Sequence, residues 1–213
     1  YIIFTMDDFH YKYNRFILPL YGENRNPDHD QELLNTNHTP HEYCIHDRVD
    51  MTEHDVYSID PDGCEDADDA FSIYKEDEKI YLAIHIADPT EYIQLNSPLW
   101  KDMEKRVITR YPSNNPPIHM IPHDIMEMAS LMDNRHGCIK PAVTVTTEID
   151  KDTFQPIGQI KLLFTKIRVR RENSLSYSQA AREFYNNSTI AFCLRISEEL
   201  QKLRKRETKA VVL

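Results

Sequence analysis

Residues 56–87 of the chain read VYSIDPDGCEDADDAFSIYKEDEKIYLAIHIA, and the main strands of the fold can be predicted from this stretch. The segments 56–59, 70–74 and 80–87 are rich in β-branched and aromatic residues, which predicts three β-strands. The charged segment 75–79 predicts a turn between the second and third strands, so that these two strands form a hairpin. Because the third strand is long and apolar, we expect it to lie in the centre of a sheet.

Further elements are predicted on both sides of this stretch. Strands are expected at residues 11–20, 142–149 and 157–169, and a loop or linker rich in Asn, Asp, His and Pro at 22–40. Helices are expected after Ser97 and Pro98, whose residue types suit an N-cap and a first helical position, and over 122–132, 176–187 and 189–206. This order predicts an α+β fold, a mixed β-sheet flanked by helices, in residues 47–213, preceded by a poorly defined segment or linker at 1–46.

Charge is unevenly distributed along the sequence. The net charge of −10 argues against nucleic-acid binding, but residues 161–213 contain twelve Lys and Arg against five Asp and Glu. This basic block is either a solvated face or a binding surface, and charge alone does not decide between them. No stretch reaches the roughly 18 apolar residues of a membrane span, so no membrane partner is expected.

The four cysteines are far apart in the sequence, and none has a partner at metal-ligand spacing. Such spacing is typical of reduced thiols in an intracellular protein, cytoplasmic or nuclear, rather than of a disulfide framework. No signal-peptide pattern follows Tyr1, and we expect both Tyr1 and Leu213 to be cut points within a longer protein.

The segment 60–69, between the first two predicted strands, contains six carboxylates in ten residues. Such a concentration costs free energy through like-charge repulsion, and a bound cation offsets that cost. Pro61 and Gly63 permit a tight bend. The bend lets Asp60, at a strand end, face the later aspartates of this acidic loop, which are Asp66, Asp68 and Asp69.

Three interpretations of the acidic loop remain open at this point: an exposed loop without function, a Ca²⁺ loop, and a Mg²⁺ site for phosphoryl transfer. The EF-hand pattern requires Gly at its sixth position, whereas Gly63 is the fourth residue counted from Asp60, so the calcium interpretation fits poorly. Carboxylate oxygens suit Mg²⁺, Mn²⁺ or Ca²⁺ rather than Zn²⁺, and metal-assisted phosphoryl transfer needs several of them to converge.

An Asp followed six, eight and nine residues later by further aspartates, and then by Ala70, resembles the hallmark of the RNB family, the catalytic domain of ribonuclease II/R-type exoribonucleases. Other segments resemble parts of the family in the same order along the chain: 48–52, 85–93, 109–112, 120–122, 129–131, 175–177 and 200–206. Each match alone is short, but the ordered series is specific and covers the chain from residue 48 onward. The resemblance implies the first part of the RNB-type fold.

The resemblance also implies an activity, the hydrolysis of single-stranded RNA from its 3′ end to nucleoside 5′-monophosphates with Mg²⁺, or with Mn²⁺ in its place. On this basis Asp60, Asp66 and Asp69 bind the metal directly or through water. Asp68 is then the most activity-critical carboxylate, because it holds a second metal ion or the attacking water.

Two tyrosines match aromatic positions of the family. Tyr111 matches the tyrosine that stacks on the 3′-terminal base, a contact that tolerates any base, and Tyr177 matches one that helps to position the RNA. The alternative for Tyr111 is a loop aromatic that packs into the core. For His85 we expect a hydrogen-bonded core histidine. Basic residues within 166–171 and 202–206 either line a phosphate track or form a solvated face.

The family's catalytic domain is much longer than the segment that this chain resembles. The resemblance therefore implies the N-terminal portion of the domain, without the region that supplies the family's catalytic arginine and glutamate. The alternative to an active enzyme is consequently a catalytically incomplete RNB-fold fragment that acts as an RNA-binding or regulatory module.

Overall fold

The structure is a computed structural model that describes residues 25–37, 47–64, 66–111 and 116–208, with the backbone alone for 206–208. The strand expected at 11–20 lies outside the described residues. Within them the chain divides into two compact units, a smaller one of residues 25–37 and 89–128 and a larger one of residues 47–88 and 129–208.

Helices form the described part of the smaller unit, which contains α1 Pro27–Thr36, a short 3₁₀ helix Pro89–Tyr92, α2 Pro98–Arg106 and the start of α3 His123–Ala129. Their apolar side chains share one core, in which Leu33, Leu99 and Ile125 are buried. Since each of these three side chains comes from a different helix, the core ties α1 to the two later helices.

The prediction of a loop over 22–40 is wrong for α1. The helix forms because the Asn26 side chain accepts the Asp28 N–H as an N-cap and Pro27 occupies the first turn, where its missing N–H costs nothing. The predicted start of α2 is confirmed, since the Ser97 hydroxyl accepts the Trp100 N–H.

The larger unit contains, among the described residues, seven strands, a short 3₁₀ helix and two further α-helices. They are β1 Val49–Met51, β2 Val56–Asp60, β3 Asp69–Glu76, β4 Lys79–Ala87, β5 Ile139–Ile149, β6 Lys161–Arg168, the 3₁₀ helix Arg171–Asn173, β7 Ser174–Ser176, α4 Tyr177–Glu183 and α5 Ser188–Thr208. The strands form one sheet in the order β1-β6-β5-β4-β3-β2-β7. The outer pairs β1–β6 and β2–β7 are parallel, and the inner pairs are antiparallel. This confirms the predicted α+β class with a mixed sheet, and it places β4 in the middle, as its apolar sequence predicts.

β3 and β4 form the predicted hairpin, with Glu76 opposite Lys79. The two residues between them, Asp77 and Glu78, have φ values of +46° and +66°. Positive φ at both positions is typical of a type I′ turn, whose twist matches that of the paired strands. The register that follows from this turn places Asp69, the first residue of β3, near the end of β4.

The two faces of the sheet bury different side chains, because successive residues of a strand point to opposite faces. One face carries small residues such as Ala70 and Ala83. The other carries Phe71 and Leu82, which belong to a cluster with side chains of α5. The central strands therefore have a core cluster on each side.

α4 and α5 follow the last strand of the sheet. α4 begins with a capping box, in which the Ser176 hydroxyl accepts the Gln179 N–H and the Gln179 side chain accepts the Ser176 N–H. The apolar stripe predicted within 189–206 packs against the sheet, since Ile196 is fully buried in the same cluster as Phe71. No helix in the part of the chain that the structure describes is long and apolar enough to span a membrane.

Candidate metal and RNA-binding site

Several strand ends of the larger unit meet at one end of the sheet, and the acidic loop lies there. β2 ends at Asp60 and β3 begins at Asp69, so the loop joins two adjacent antiparallel strands. Asp69 lies opposite Ile86 near the end of β4, and Asp60 lies opposite Ser176 at the end of β7. The sheet register thus brings the two ends of the acidic loop and the start of α4 to the same place.

The acidic loop opens with a tight turn that depends on Gly63. The Cys64 N–H donates to the Pro61 carbonyl oxygen at 3.1 Å, and the φ of Gly63 is +79°, which is typical of the third residue of a type II turn. No described atom lies within 4 Å of the position that a Cβ would take, so the backbone angle, not lack of space, favours glycine. The bend predicted from Pro61 and Gly63 is present.

The second half of the loop is fixed by hydrogen bonds of its backbone. The Ala67 N–H donates to the Ser130 hydroxyl oxygen at 3.1 Å, and the Ala67 carbonyl oxygen accepts the Leu131 N–H at 2.9 Å. The Asp68 carbonyl oxygen accepts the Ala87 N–H at 2.8 Å. The main chain on both sides of Ala67 is therefore held to other parts of the larger unit.

The carboxyl group of Asp60 is partly buried among like charges. Burial raises the pKa of Asp60, and the negative charges of Asp69 and Asp68 raise it further. The nearby Ser58 hydroxyl lowers the pKa in part, although it makes no hydrogen bond of normal geometry. The Oδ2 atom of Asp60 is buried and makes no hydrogen bond to the described residues. A buried carboxylate oxygen without a donor, close to further negative charges, is stabilised by a cation.

The four predicted metal ligands differ in exposure, with Asp60 and Asp66 half-buried and Asp68 and Asp69 exposed. Among the described residues, no three of these carboxylates have oxygen atoms that all lie within 4.8 Å of one another. The structure brings the four aspartates into one loop but does not close a coordination shell. Their hard oxygen donors and the unbonded Oδ2 of Asp60 fit Mg²⁺ or Mn²⁺.

A further carboxylate near the end of β4, that of Asp88, has its charge compensated. The Arg48 guanidinium pairs with it at 2.6 Å and also donates to the Ala142 carbonyl oxygen at 3.2 Å. Asp88 is buried, so this arginine supplies the positive charge that burial requires. Asp88 is therefore satisfied within the chain and is not a candidate metal ligand.

The two predicted RNA-binding tyrosines lie in different units. Tyr177 is the first residue of α4 and is 61% exposed, directly after Ser176, which lies opposite Asp60. Tyr111 belongs to the smaller unit and is 74% exposed, so the alternative in which it packs into the core is wrong. Both rings are accessible for stacking, and Tyr177 is also placed beside the acidic loop by the strand register.

Two residues of the predicted phosphate track are engaged in ion pairs. Lys166 Nζ lies 3.0 Å from a carboxylate oxygen of Asp50, and Arg170 pairs with Asp55. The Asp50 carboxyl has a lowered pKa, chiefly because Thr52 donates hydrogen bonds to it, and Lys166 contributes. These contacts favour a structural role for Lys166 and Arg170 over phosphate binding.

His85 is a hydrogen-bonded core histidine, as predicted. Its Nε2 lies 3.0 Å from the Ser72 hydroxyl oxygen, and its Nδ1 lies 2.8 Å from that of Thr144. Burial, with a smaller effect of His54, lowers the pKa of His85 to about 4, so the imidazole is neutral near pH 7. It is a structural group of the sheet.

Two features of the structure are missed by the sequence reasoning. One is the hydrogen bond from the Ala67 N–H to the Ser130 hydroxyl oxygen. The two residues are 63 positions apart, so no local sequence pattern predicts this contact. The other is a group in α3, where ligand atoms of His123, Asp124 and Glu127 all lie within 4.8 Å of one another. His123 and Glu127 are four residues apart on a predicted helix and therefore share one face, so the sequence does indicate that these two side chains lie close together.

Comparison with known proteins assigns the chain to a family. The model of the RNB domain matches residues 48–211, so the chain belongs to the RNB domain family. A relative from Photorhabdus laumondii named Exoribonuclease 2 is 38% identical over 108 residues, which are 50% of this chain and 16% of the relative. The aligned part is thus about a sixth of that curated relative's length.

Solved structures share the fold. Mycoplasma genitalium RNase R in complex with double-stranded RNA matches with a TM-score of 0.70 at 19% identity, covering 86% of this chain and 34% of that chain. Yeast Ssd1, described as a pseudonuclease, matches with a TM-score of 0.67 at 16% identity, covering 91% of this chain and 26% of that chain. The predicted RNB-type fold is confirmed, and the second match shows that this fold also occurs in a protein described as a pseudonuclease.

Proposed function

We propose that this chain is the metal-binding part of a 3′→5′ exoribonuclease that hydrolyses single-stranded RNA to nucleoside 5′-monophosphates with Mg²⁺ or Mn²⁺. The observation that carries the proposal is the buried, unbonded Oδ2 of Asp60 within a loop of aspartates, in a chain of the RNB domain family. Relatives with the name Exoribonuclease 2 support the class of reaction.

In this proposal Asp60, Asp66 and Asp69 would hold the cation. When bound, the cation would supply an activated water and would neutralise the charge of the scissile phosphate. The exposed carboxylate of Asp68 is accessible to substrate, and it orients the attacking water by accepting a hydrogen bond. The backbone hydrogen bonds at Ala67 and Asp68 keep these side chains at the end of the sheet while RNA binds.

Binding of RNA is assigned to exposed aromatic rings. Tyr177 stacks on or positions the RNA near the acidic loop, since it follows the residue that lies opposite Asp60. Tyr111 stacks on the 3′-terminal base. Both contacts tolerate any base, which suits a general RNA-degrading enzyme.

The alternative is a non-catalytic RNA-binding or regulatory module with the same fold. Yeast Ssd1, which is described as a pseudonuclease, shares this fold. The alternative therefore stays open, because the fold alone does not imply catalytic turnover. The two functions differ in one observable, the metal-dependent shortening of RNA.

The test uses a 5′-labelled single-stranded RNA with and without Mg²⁺, for the parent chain and for Asp68→Asn. We expect a Mg²⁺-dependent ladder that shortens from the 3′ end, and a loss of roughly 10³-fold or more in the variant, with little change in RNA binding. Asp62→Asn is the matched control, because Asp62 lies in the same loop, is exposed and is assigned no role.

Each outcome distinguishes the two functions. Cleavage by the parent and by Asp62→Asn, but not by Asp68→Asn, supports the exoribonuclease. Equal cleavage by all three proteins would show that the metal site is wrongly assigned. RNA binding without cleavage by the parent favours the non-catalytic module, and Tyr177→Ala should then still weaken binding by about 1–3 kcal/mol if its ring stacks on a base.

A further inference from the structure

Ser130 contacts the acidic loop between two of the proposed metal ligands. Its hydroxyl oxygen accepts the Ala67 N–H at 3.1 Å, and the next residue, Leu131, donates its N–H to the Ala67 carbonyl oxygen at 2.9 Å. Ala67 and Leu131 are fully buried and Ser130 is 1% exposed. Water therefore has no access to replace the hydroxyl if the serine is lost.

We propose that Ser130 is a positioning residue that sets the conformation of the acidic loop and thereby the affinity of the loop for a divalent cation. Asp66 and Asp68 flank Ala67 directly, so a rotation of the Ala67 peptide plane moves both carboxylates. The part of this inference that concerns the cation rests on the proposed function, whereas the part that concerns the loop conformation does not.

The loop needs such a contact because it lacks the regular pairing of the strands on either side. Between the end of β2 and the start of β3, hydrogen bonds to the described backbone are few. They are those of the turn at Cys64, of the Cys64 thiol with the Asp66 carbonyl oxygen, of Ala67 with Ser130 and Leu131, and of Asp68 with Ala87. Repulsion among the loop carboxylates acts against any single conformation. By accepting the Ala67 N–H, the Ser130 hydroxyl stabilises one backbone conformation of the loop against that repulsion.

Ser72 offers a matched comparison for Ser130. It is also fully buried, and its hydroxyl also makes one hydrogen bond, in this case to a side-chain atom, His85 Nε2, at 3.0 Å. Ser72→Ala and Ser130→Ala therefore each remove one buried hydroxyl and should lower the melting temperature to a similar extent. Only the second variant removes a contact with the acidic loop.

The experiment measures hydrogen exchange of peptides that cover residues 61–69 and binding of Mn²⁺ by titration calorimetry, in the full chain. Ser130→Ala should speed exchange in these peptides and weaken Mn²⁺ binding by about 10-fold, the usual loss when a group that orients metal ligands is removed. Ser72→Ala should leave both readouts at the parent values. Ser130→Thr keeps the hydroxyl and should restore both.

Parent-like exchange and Mn²⁺ affinity in Ser130→Ala would overturn the inference and leave the proposed function standing. If the parent itself binds no Mn²⁺, the proposed metal site fails and exchange alone decides the role of Ser130: faster loop exchange supports it, and unchanged exchange overturns it. If Ser130→Ala does not fold, Ser130→Cys, which keeps the volume but is a weak acceptor, is judged by the same readouts.

Discussion

Buried polar groups are satisfied in one region of the larger unit and not in another. Across the four strands β3 to β6, the side chains of Ser72, His85, Thr144 and Thr165 form a continuous hydrogen-bonded row. In the acidic loop, by contrast, the Oδ2 of Asp60 is buried and has no hydrogen-bond partner among the described residues. The two regions lie in the same sheet, because Asp69 of the loop begins the strand that contains Ser72.

Every polar atom in the row has a hydrogen-bond partner if each side chain donates to the next one, from Ser72 toward Thr165. The Thr165 hydroxyl donates to the Ala142 carbonyl oxygen at 3.3 Å, and the oxygens of Thr144 and Thr165 are 2.7 Å apart. With the His85 proton on Nδ1, the Ser72 hydroxyl donates to Nε2, Nδ1–H donates to Thr144, and Thr144 donates to Thr165. A neutral imidazole thus satisfies each member, which agrees with the lowered pKa of His85.

The two regions illustrate two kinds of buried polar group, one that stabilises the fold and one that is suited to bind a ligand. A group that is fully paired within the chain has no need of a ligand, and the buried pair of Arg48 with Asp88 belongs to this class. An unpaired buried oxygen among like charges lowers the stability of the chain unless a ligand binds. Substitutions in the two regions should therefore change stability in opposite directions.

The largest effect is expected for Thr144→Val, which removes the hydroxyl in the middle of the row. His85 Nδ1 and the Thr165 hydroxyl each lose a partner inside the protein, and an unsatisfied buried group costs about 1–3 kcal/mol. We expect the free energy of unfolding to fall by about 3 kcal/mol, measured by urea denaturation at pH 7.

Thr144→Ser is the control for this variant, because it keeps the hydroxyl and removes one methyl group. Its loss should be near 1 kcal/mol, about that of one buried CH₂ group. Equal losses for the two variants would show that packing, not hydrogen bonding, accounts for the contribution of Thr144, and the contrast with the acidic loop would then disappear.

The fold was predictable where the pattern is local. The three strands within 56–87 follow from β-branched and aromatic residues, and the hairpin from the short charged segment between two of them. α1 was missed because Asn, Asp and Pro are typical of loops, while the same residue types at Asn26 and Pro27 also begin a helix. Composition cannot distinguish these two uses without the core contact that Leu33 makes.

The candidate site was predictable only as a set of possible ligands. The spacing of the four aspartates places them in one loop, and their role in binding a metal stays a prediction. The position of Tyr177 beside that loop depends on β2–β7 pairing across the whole unit, which local patterns do not contain. The contact of Ser130 with Ala67 is of the same kind, since tertiary packing alone brings the two residues together.

A second effect concerns pH and the same row. The pKa of His85 in the fold is about 4, below its ordinary value of 6.5, chiefly because of burial. Below pH 6.5 the unfolded chain takes up a proton that folded His85 does not, so the stability that neutral His85 contributes above pH 6.5 is lost as pH falls toward 4. Between pH 7.5 and pH 5 the parent should lose about 2 kcal/mol more than His85→Gln, which does not titrate. Urea denaturation of both proteins at the two pH values measures this difference, and parallel losses would count against a neutral His85.

The smallest effect has the opposite sign and arises in the acidic loop. Asp60→Asn removes a partly buried charge that lies near Asp69 and Asp68, so the metal-free variant should unfold with a free energy about 1 kcal/mol higher than that of the parent. Addition of Mg²⁺ should stabilise the parent and not the variant, because a ligand stabilises a protein only if it binds the folded state at the concentration used. Asp62→Asn, in the same loop but exposed, should change neither value by more than about 0.5 kcal/mol. A less stable Asp60→Asn variant without metal would mean that Asp60 is satisfied in the folded chain, and the two regions would then follow the same rule.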